Sequence, residues 1–338
     1  MKEAKGNKGD RKMKALVTGG AGFIGSHLCE LLLERGYTVS VIDDLSTGCH
    51  ENIAHLEEKD NFRLVIDTVL NRALTEELVK SSDTIFHLAS AVGVNLIIQQ
   101  PVKTIKTIIE GTDIVLTYAC RYRKKVLITS SSEVYGKGSK MPFSEHDDTV
   151  LGPTTTRRWA YAGAKAVDEF LALAYWYETR LPVVCTRLFN TVGPRQIGQY
   201  GMVIPRLVRQ ALLGEPMTVY GDGEQTRTFC HVKDVIYALE KIINCRKAYG
   251  KVVNIGAPDK ISINDLALRI KQLTSSNSQI VHISYNQVYV KGFEDMRDRM
   301  PDISLANELI GFQPRYTIDD ILRSVIDYYT LQLKDTGE

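Results

Sequence analysis

A tyrosine and a lysine four residues apart are the first pair in this sequence that could do acid–base chemistry. Tyr161 and Lys165 lie in a stretch of helical character, and residues at this spacing share one face of a helix. The ordinary pKa of a tyrosine is about 10, so a phenol is a poor base at neutral pH unless a nearby cation stabilises the phenolate. Lys165 can supply that cation, and the pair therefore predicts a general base that takes a proton from a hydroxyl group.

A glycine turn predicts a second kind of chemistry, the binding of phosphate groups. The turn fits the pattern G-x-x-G-x-x-G, between a β-prone run at residues 14–18 and a segment of helical periodicity at residues 26–35. Glycines here let the backbone approach a pyrophosphate, and the amino end of the helix favours its negative charge. The residues predicted to contact a dinucleotide in this turn are Gly19, Gly22, Phe23, Ile24 and Gly25.

Acidic residues at the ends of the next two strands predict which dinucleotide binds. Asp43 follows the glycine turn by about 20 residues, where a carboxylate can accept hydrogen bonds from ribose hydroxyls and repel a 2′-phosphate. NAD is therefore the predicted cofactor. Either Asp43 or Asp44 is also expected to cap the following turn. Asp67, after the third strand, is expected either to reach the adenine amine or to serve only as a turn residue.

The sequence around these residues alternates between predicted strands and predicted helices. Segments long enough for crossover helices separate short apolar runs at residues 14–18, 38–42, 62–66, 84–88, 125–129 and 182–187. This alternation predicts an α/β fold with a doubly wound parallel sheet, the Rossmann arrangement. Longer connections with Gly-Pro turns follow, and then a last helical segment at residues 318–333, which together predict a smaller α/β substrate-binding domain.

The predicted domain organisation has three parts. Residues 1–13 are expected to form a disordered leader, residues 14–188 an NAD-binding Rossmann domain, and residues 189–338 a substrate domain. Part of residues 228–256 is expected to return to the Rossmann sheet.

Three motifs together resemble those of the extended short-chain dehydrogenases/reductases, and the similarity covers nearly the whole chain. They are the glycine turn, the Y-x-x-x-K pair of Tyr161 and Lys165, and residues 129–136, which read TSSSEVYG. One position departs from the family pattern. The family commonly has T-N-x-x-G-T on the helix before the serine strand, and here Ile108 replaces the asparagine.

The resemblance implies roles for the polar residues at the end of that strand. Ser131 is implied to be the catalytic hydroxyl that hydrogen-bonds the sugar oxygen, with Ser130 and Ser132 as its rivals. Glu133 is implied to point into the substrate cleft, where the alternative for it is a partly solvated ion pair. Lys165 is also implied to contact the cofactor.

Two downstream segments resemble the substrate side of nucleotide-sugar enzymes. They are residues 187–195, which read RLFNTVGPR, and residues 218–232, which read TVYGDGEQTRTFCHV. The resemblance implies that residues 214–219 bind uracil. Near the C-terminus, Arg299 is the favoured phosphate ligand and Arg297 the alternative. The implied substrate-binding residues are Asn190, Arg195, Arg227 and Arg299.

The reaction implied by this family begins with oxidation of the sugar 4-hydroxyl to a 4-ketone. Dehydratases usually have an Asp-Glu pair after the catalytic hydroxyl, whereas this chain has Ser132-Glu133, which resembles the UDP-glucuronate decarboxylases. The predicted reaction is therefore conversion of UDP-glucuronate to UDP-xylose, with UDP-sugar 4-epimerisation as the main alternative and 4,6-dehydration less favoured. A catalytically idle NAD-binding regulator is the hypothesis from a different class.

Composition excludes several other classes of function. The chain has 42 basic and 40 acidic residues, and five of the basic ones fall in the first 13 positions, so no nucleic-acid-binding surface is predicted. No apolar run is long enough to span a membrane, and we expect a cytoplasmic protein.

The six cysteines are scattered and are expected to be buried thiols. The histidine spacing predicts no metal site.

The resemblance finally implies a homodimer. Two predicted helices, at residues 102–122 and 161–177, are more apolar than a single face against the sheet requires. We expect each subunit to contribute both helices to the interface.

Overall fold

The computed structural model describes residues 12–90, 100–198, 202–284, 287 and 298–336. The predicted leader therefore lies outside the described residues, apart from Lys12 and Met13. The strands are β1 (Lys14–Thr18), β2 (Thr38–Asp43), β3 (Phe62–Ile66), β4 (Thr84–His87), β5 (Lys125–Ser131), β6 (Val183–Leu188), β7 (Thr191–Val192), β8 (Met217–Tyr220), β9 (Thr226–Thr228), β10 (Cys230–His231), β11 (Val252–Ile255), β12 (Lys260–Ser262) and β13 (Ile280–Ile283).

The described helices follow the same alternation. They are α1 (Phe23–Glu34), α2 (Arg72–Ser81), α3 (Pro101–Arg121), α4 (Trp159–Thr179), α5 (Val203–Leu212), α6 (Val232–Ile243), α7 (Ile263–Leu273), α8 (Ser304–Ile310) and α9 (Ile318–Thr336).

Seven parallel strands form one central sheet in the order β11-β6-β5-β4-β1-β2-β3. Helices cover both of its faces, so the predicted doubly wound α/β fold is confirmed. Side chains alternate along each strand. In β1, Leu16 joins the apolar core beneath α2, α3 and α4, and Val17 joins the core beneath α1 and α6.

The chain beyond β6 builds a further layer. Its apolar core is formed by side chains of α5, α7, α9 and β8, including Val208, Leu266 and Ile321. Three two-stranded sheets, β10-β7, β12-β9 and β13-β8, lie in this part of the chain. β11 pairs with β6 in the central sheet. The domain boundary at residue 188 stays a prediction.

The strand order reverses at β1, whose two neighbours are β2 and β4. In open α/β sheets a crevice forms where the order reverses, at the carboxyl ends of the strands, and ligands bind there. The glycine turn leaves β1 at this edge, and Ser131 ends β5 at the same edge. The fold therefore brings the predicted cofactor and catalytic motifs together.

Two further expectations concern thiols and membranes. All six cysteines are free; Cys29, Cys185 and Cys230 are buried as expected, whereas the other three are only partly buried. Within the described ranges, no helix combines the length and apolar character needed to cross a membrane.

Candidate active site

One cavity of about 800 Å³ lies at the carboxyl edge of the sheet. Seventeen of the residues that the sequence predicts for catalysis, cofactor binding or substrate binding are among those that line it. They are Gly19, Gly22, Phe23, Ile24, Gly25, Asp43, Asp44, Asp67, Ser131, Ser132, Glu133, Tyr161, Lys165, Asn190, Arg195, Arg227 and Arg299. Arg297, the alternative to Arg299, lies outside the described residues.

The glycine turn packs tightly against the start of α1. Gly19 has φ +73°, and a Cβ at Gly25 would lie 2.1 Å from the Gly19 carbonyl oxygen, so only glycine fits at both positions. In α1, all of which is described, the first turn holds no acidic residue and no side chain caps it. Its backbone N–H groups and the positive end of the helix dipole thus fit the pyrophosphate of a dinucleotide.

Asp43 ties the end of β2 to the glycine turn. Its carboxylate accepts hydrogen bonds from the backbone N–H groups of Ala21 and Leu45, each at 2.9 Å. Burial raises the pKa of Asp43, and these backbone bonds oppose that rise. Asp44 accepts from the N–H of Ser46 at 3.0 Å, so both acids cap the turn while lining the cavity.

Asp67 also has partners within its own turn. Its carboxylate accepts from the Thr68 N–H at 2.7 Å and from the Asn71 side-chain amide at 2.8 Å. Asp67 is thus a turn residue that also lines the cavity, and contact with an adenine stays a prediction.

Tyr161 and Lys165 lie on one face of α4, as their spacing predicts, and both side chains are buried. Burial raises the pKa of Tyr161, the Lys165 charge lowers it, and Glu133 raises it. The net direction is upward, because burial outweighs the cation. Lys165 thus counteracts the burial without bringing the phenol below its ordinary pKa.

Of the three serines, Ser131 is the one beside the tyrosine. A hydrogen bond between Ser131 and Tyr161 lowers the pKa of the phenol, and Ser131 Oγ accepts from the Glu133 N–H at 3.2 Å. Ser130 instead donates to buried Glu169 at 2.5 Å. The catalytic assignment of Ser131 stays a prediction, but the geometry favours it over Ser130.

Glu133 lies between two arginines at the cavity wall. Arg158 Nη2 is 3.2 Å from Oε2, and Arg299 Nη1 is 2.5 Å from Oε1. Both arginine side chains are buried, at 6% and 8% exposure, while Glu133 is 19% exposed. The partly solvated ion pair considered as the alternative for Glu133 is therefore present, and it faces the same cavity as Tyr161.

The implied substrate residues are held by different parts of the fold. The Asn190 amide donates to the Thr228 carbonyl at 2.8 Å, and Arg227 Nη1 donates to the Thr226 carbonyl at 2.8 Å. Both positions lie on the side of the cavity formed by β9.

Arg195 instead contacts the cofactor helix. Its Nη2 lies 2.6 Å from Glu30 Oε1, and its Nη1 donates to Ser26 Oγ at 3.2 Å. Glu30 and Ser26 are both on α1, so Arg195 contacts the helix that is predicted to bind the cofactor. Its implied contact with the substrate stays a prediction.

The implied uracil segment does not border this cavity, and its uracil-binding role stays a prediction. None of residues 214–219, all of which are described, lines the cavity. Met217 and Val219 point into the apolar core with α5 and α7, because alternate residues of β8 face that core. The cavity wall begins one residue later, at Tyr220, and continues with Gln225.

Sequence reasoning missed Asp168, whose carboxylate Oδ2 accepts a hydrogen bond from Lys165 Nζ at 3.1 Å. Its spacing of three residues from Lys165, on the same helix, was a signal that could have revealed it. Sequence reasoning also assigned no role to Arg158, although it lines the cavity and contacts Glu133.

The fold and this site define an extended short-chain dehydrogenase/reductase. A family model described as GDP-mannose 4,6 dehydratase matches residues 16–325, and the chain belongs to this family of NAD-dependent epimerases and dehydratases. The motif-based identification of the family is thereby confirmed.

Two relatives indicate which reactions within this family the chain is most similar to. The chain is 41% identical to a UDP-N-acetyl-alpha-D-glucosaminuronate decarboxylase of Bacillus cytotoxicus, over 94% of this chain and 98% of that protein. It is 37% identical to UDP-glucuronic acid decarboxylase 1 of Xenopus tropicalis, over 96% of this chain and 74% of that protein. The protein is thus an enzyme of the NAD-dependent nucleotide-sugar decarboxylase/epimerase family.

A solved structure of another protein has a similar fold. The UDP-glucuronic acid 4-epimerase of Bacillus cereus, in complex with UDP-glucuronic acid and NAD, matches with a TM-score of 0.85 and 30% identity. The match covers 95% of this chain and 100% of that chain.

Proposed function

We propose that this enzyme decarboxylates UDP-glucuronate to UDP-xylose through a 4-keto intermediate. The observation that carries the proposal is the position of Glu133 between Arg158 and Arg299, in the cavity that Tyr161 also lines. Guanidinium groups bind carboxylates well, so the carboxylate of a sugar acid can bind beside these two arginines. The 41% identical decarboxylase relative supports the same reaction type.

The residues that would hold NAD are those of the glycine turn, Asp43 and Lys165. The pyrophosphate fits the uncapped amino end of α1, and the Asp43 carboxylate can accept from ribose hydroxyls while repelling a 2′-phosphate. When bound, NAD accepts a hydride from carbon 4 of the sugar and later returns it.

In the first step, Tyr161 removes the proton of the sugar 4-hydroxyl. Ser131 hydrogen-bonds the same oxygen and keeps it aligned with the phenol. The Lys165 ammonium stabilises the phenolate electrostatically.

In the second step, the new ketone at carbon 4 is β to the carboxylate on carbon 5. The bond between carbons 5 and 6 breaks, its electron pair moves into an enolate whose oxygen is on carbon 4, and carbon dioxide leaves. Carbon 5 then takes a proton before carbon 4 is reduced. We assign Arg158, Arg299 and Glu133 to orienting the carboxylate, and Arg227, whose guanidinium stays protonated, to orienting a water molecule that donates the proton to carbon 5.

Two other reactions are favoured by specific relatives. The 41% identity to a UDP-N-acetyl-alpha-D-glucosaminuronate decarboxylase makes the 2-acetamido sugar acid the second candidate substrate. The likeness to a UDP-glucuronic acid 4-epimerase favours epimerisation as the alternative outcome of the same ketone.

A substrate panel tests the proposal. The enzyme is incubated with NAD and, separately, with UDP-glucuronate, UDP-N-acetylglucosaminuronate, UDP-glucose and UDP-N-acetylglucosamine, and the products are identified by mass spectrometry and NMR. We expect UDP-xylose from UDP-glucuronate. UDP-galacturonate instead would replace the decarboxylase proposal by the epimerase, and turnover of the acetamido acid alone would change the substrate. Tyr161→Phe is the inactive control.

We also infer a homodimer. Val102 on α3 and Val167, Phe170 and Tyr177 on α4 are large apolar side chains exposed to solvent in the single chain. α3 and α4 pack against each other, so these side chains belong to one helical pair. A second copy offering the same pair can cover them.

A further inference from the structure

A buried carboxylate is the direct partner of Lys165. Asp168 Oδ2 accepts from Lys165 Nζ at 3.1 Å, and the two side chains are 0% and 3% exposed. The other oxygen, Oδ1, is buried without a hydrogen-bond partner among the described residues. Burying a carboxylate is costly unless a charge compensates it. The Asp168 charge is thus compensated chiefly by Lys165.

Helix α3 gives Lys165 no amide partner. Ile108, at the position where the family motif has asparagine, is 1% exposed and packs in an apolar cluster with Tyr161 and Ala164. One turn further along α3, Thr112 adjoins Asp168 and lowers the pKa of that carboxyl. The polar contact made by Lys165 is therefore on its own helix.

The other titratable groups around the pair come from the sheet and from α4. From β4, His87 binds the Thr112 hydroxyl at 3.2 Å, and burial followed by the Lys165 charge lowers its pKa to about 3. His87 is thus neutral at neutral pH. From β6, the thiol of Cys185 is buried, and burial raises its pKa well above the ordinary value, so it is uncharged.

The remaining charged groups are already paired. Glu169, next to Asp168 on α4, forms a buried ion pair with Arg187 at 2.8 Å. Glu133, from the turn after β5, is paired with arginines and raises the pKa of Tyr161. Among the described residues, Asp168 is therefore the carboxylate that contacts Lys165 directly.

We propose that Asp168 is a positioning residue that holds Lys165 and limits, through its charge, how strongly that lysine promotes ionisation of Tyr161. The inference rests on the proposed roles of Tyr161 and Lys165. With Asp168 present, the buried group of Tyr161, Lys165 and Asp168 is neutral before the phenol loses its proton and negative afterwards. Without the Asp168 charge, the pair of Tyr161 and Lys165 is positive before the phenol loses its proton and neutral afterwards. A buried site favours this loss of net charge, so the phenol ionises more easily.

The test compares Asp168→Asn with Glu178→Gln, a matched removal of a negative charge from an exposed position on the same helix. The measurement is the pH profile of kcat/KM, whose acid limb reports the essential base of the free enzyme. We expect Asp168→Asn to move the acid limb to lower pH by about one unit, and Glu178→Gln to leave it in place. An unmoved limb, or a shift to higher pH, overturns the inference.

A second measurement uses no variant of Asp168, so it can still contradict the inference if Asp168→Asn does not fold. The difference in ultraviolet phenolate absorbance between the wild type and Tyr161→Phe is titrated in the free enzymes. We expect Tyr161 to ionise above pH 10, because burial outweighs the Lys165 cation, whose effect Asp168 partly cancels. Ionisation at or below about pH 10 contradicts the proposal.

Failure of this inference is separable from failure of the proposed function. Inactive Tyr161→Phe together with an unshifted Asp168→Asn profile rejects only the role of Asp168. An active Tyr161→Phe enzyme rejects the catalytic assignment itself.

Discussion

Arg299 Nη1 lies 2.5 Å from Glu133 Oε1, although 166 positions separate the two residues in the sequence. The contact joins the turn after β5 to the segment that enters α8, and both residues line the cavity. Because buried Arg158 contacts the same carboxylate, Glu133 has little freedom to move. This arrangement suits a group that orients the substrate acid in a fixed place.

Removing the charge of Glu133 should separate the two chemical steps. Glu133→Gln keeps the side-chain volume but breaks the ion pairs, so we expect release of carbon dioxide to slow by about 10²-fold while initial oxidation slows much less. A single-turnover experiment should then show transient reduced nicotinamide. Glu58→Gln, at an exposed position outside the cavity, is the control. Equal slowing of both steps would remove Glu133 from the later step.

Asp43 should set the preference between the two dinucleotides. We expect wild-type enzyme to bind NAD much more tightly than NADP, and Asp43→Asn to weaken NAD binding about tenfold, because an ionised acceptor for the ribose hydroxyls is lost. Calorimetric titration measures both. Asp60→Asn, which removes an exposed carboxylate nearby in the sequence, should bind like wild type. Equal affinities of the wild type for NAD and NADP would exclude the proposed role.

The exposed side chains of α3 and α4 should hold two subunits together. Light scattering at micromolar concentration should give twice the mass of one chain. Phe170, which is 72% exposed, would become buried in that dimer, so Phe170→Glu should yield monomers. Leu331→Glu, at a 62% exposed position on α9, should remain dimeric. A monomeric wild type would contradict the inferred interface.

His87 should make stability depend on pH. Its folded pKa of about 3 is below the ordinary value, so the unfolded chain takes up the proton first as the pH falls. The stabilisation is present above about pH 6.5 and is lost toward pH 3, amounting to about 1.4 kcal/mol between pH 7.5 and pH 5.5.

Urea unfolding at these two pH values checks the effect of His87. His87→Asn keeps polar atoms near Thr18 and Thr112 but cannot titrate, so the loss on acidification should shrink by that amount. His146→Asn, at an exposed position, should behave like wild type. If wild type and His87→Asn lose the same stability, the histidine is not the titrating group.

Local pattern was enough to predict the parts of the site that a single turn or helix determines. The glycine turn and the pair of Tyr161 and Lys165 each depend on neighbours a few residues away, so their spacing predicted each of them separately. The sheet then brings them to one cavity. The sheet was predictable for the same reason, since strands alternating with crossover segments allow few arrangements.

Contacts between residues far apart in the sequence could not be predicted from local spacing. Nothing in the spacing indicates that Arg299 reaches Glu133, because that contact depends on how the last third of the chain folds over the sheet. The orientation of side chains in the segment at residues 214–220 was also not predictable, because a motif locates a segment but not which of its side chains point inward. Met217 and Val219 are apolar and are buried in the core, whereas Tyr220 faces the cavity.

The most direct test of the proposed decarboxylation is the stoichiometry of carbon dioxide release from UDP-glucuronate labelled at carbon 6. Our account predicts one labelled carbon dioxide for each UDP-xylose formed, many turnovers per NAD, and no conversion of UDP-glucose. Formation of UDP-galacturonate from the same substrate, with the label retained in the sugar, would contradict it.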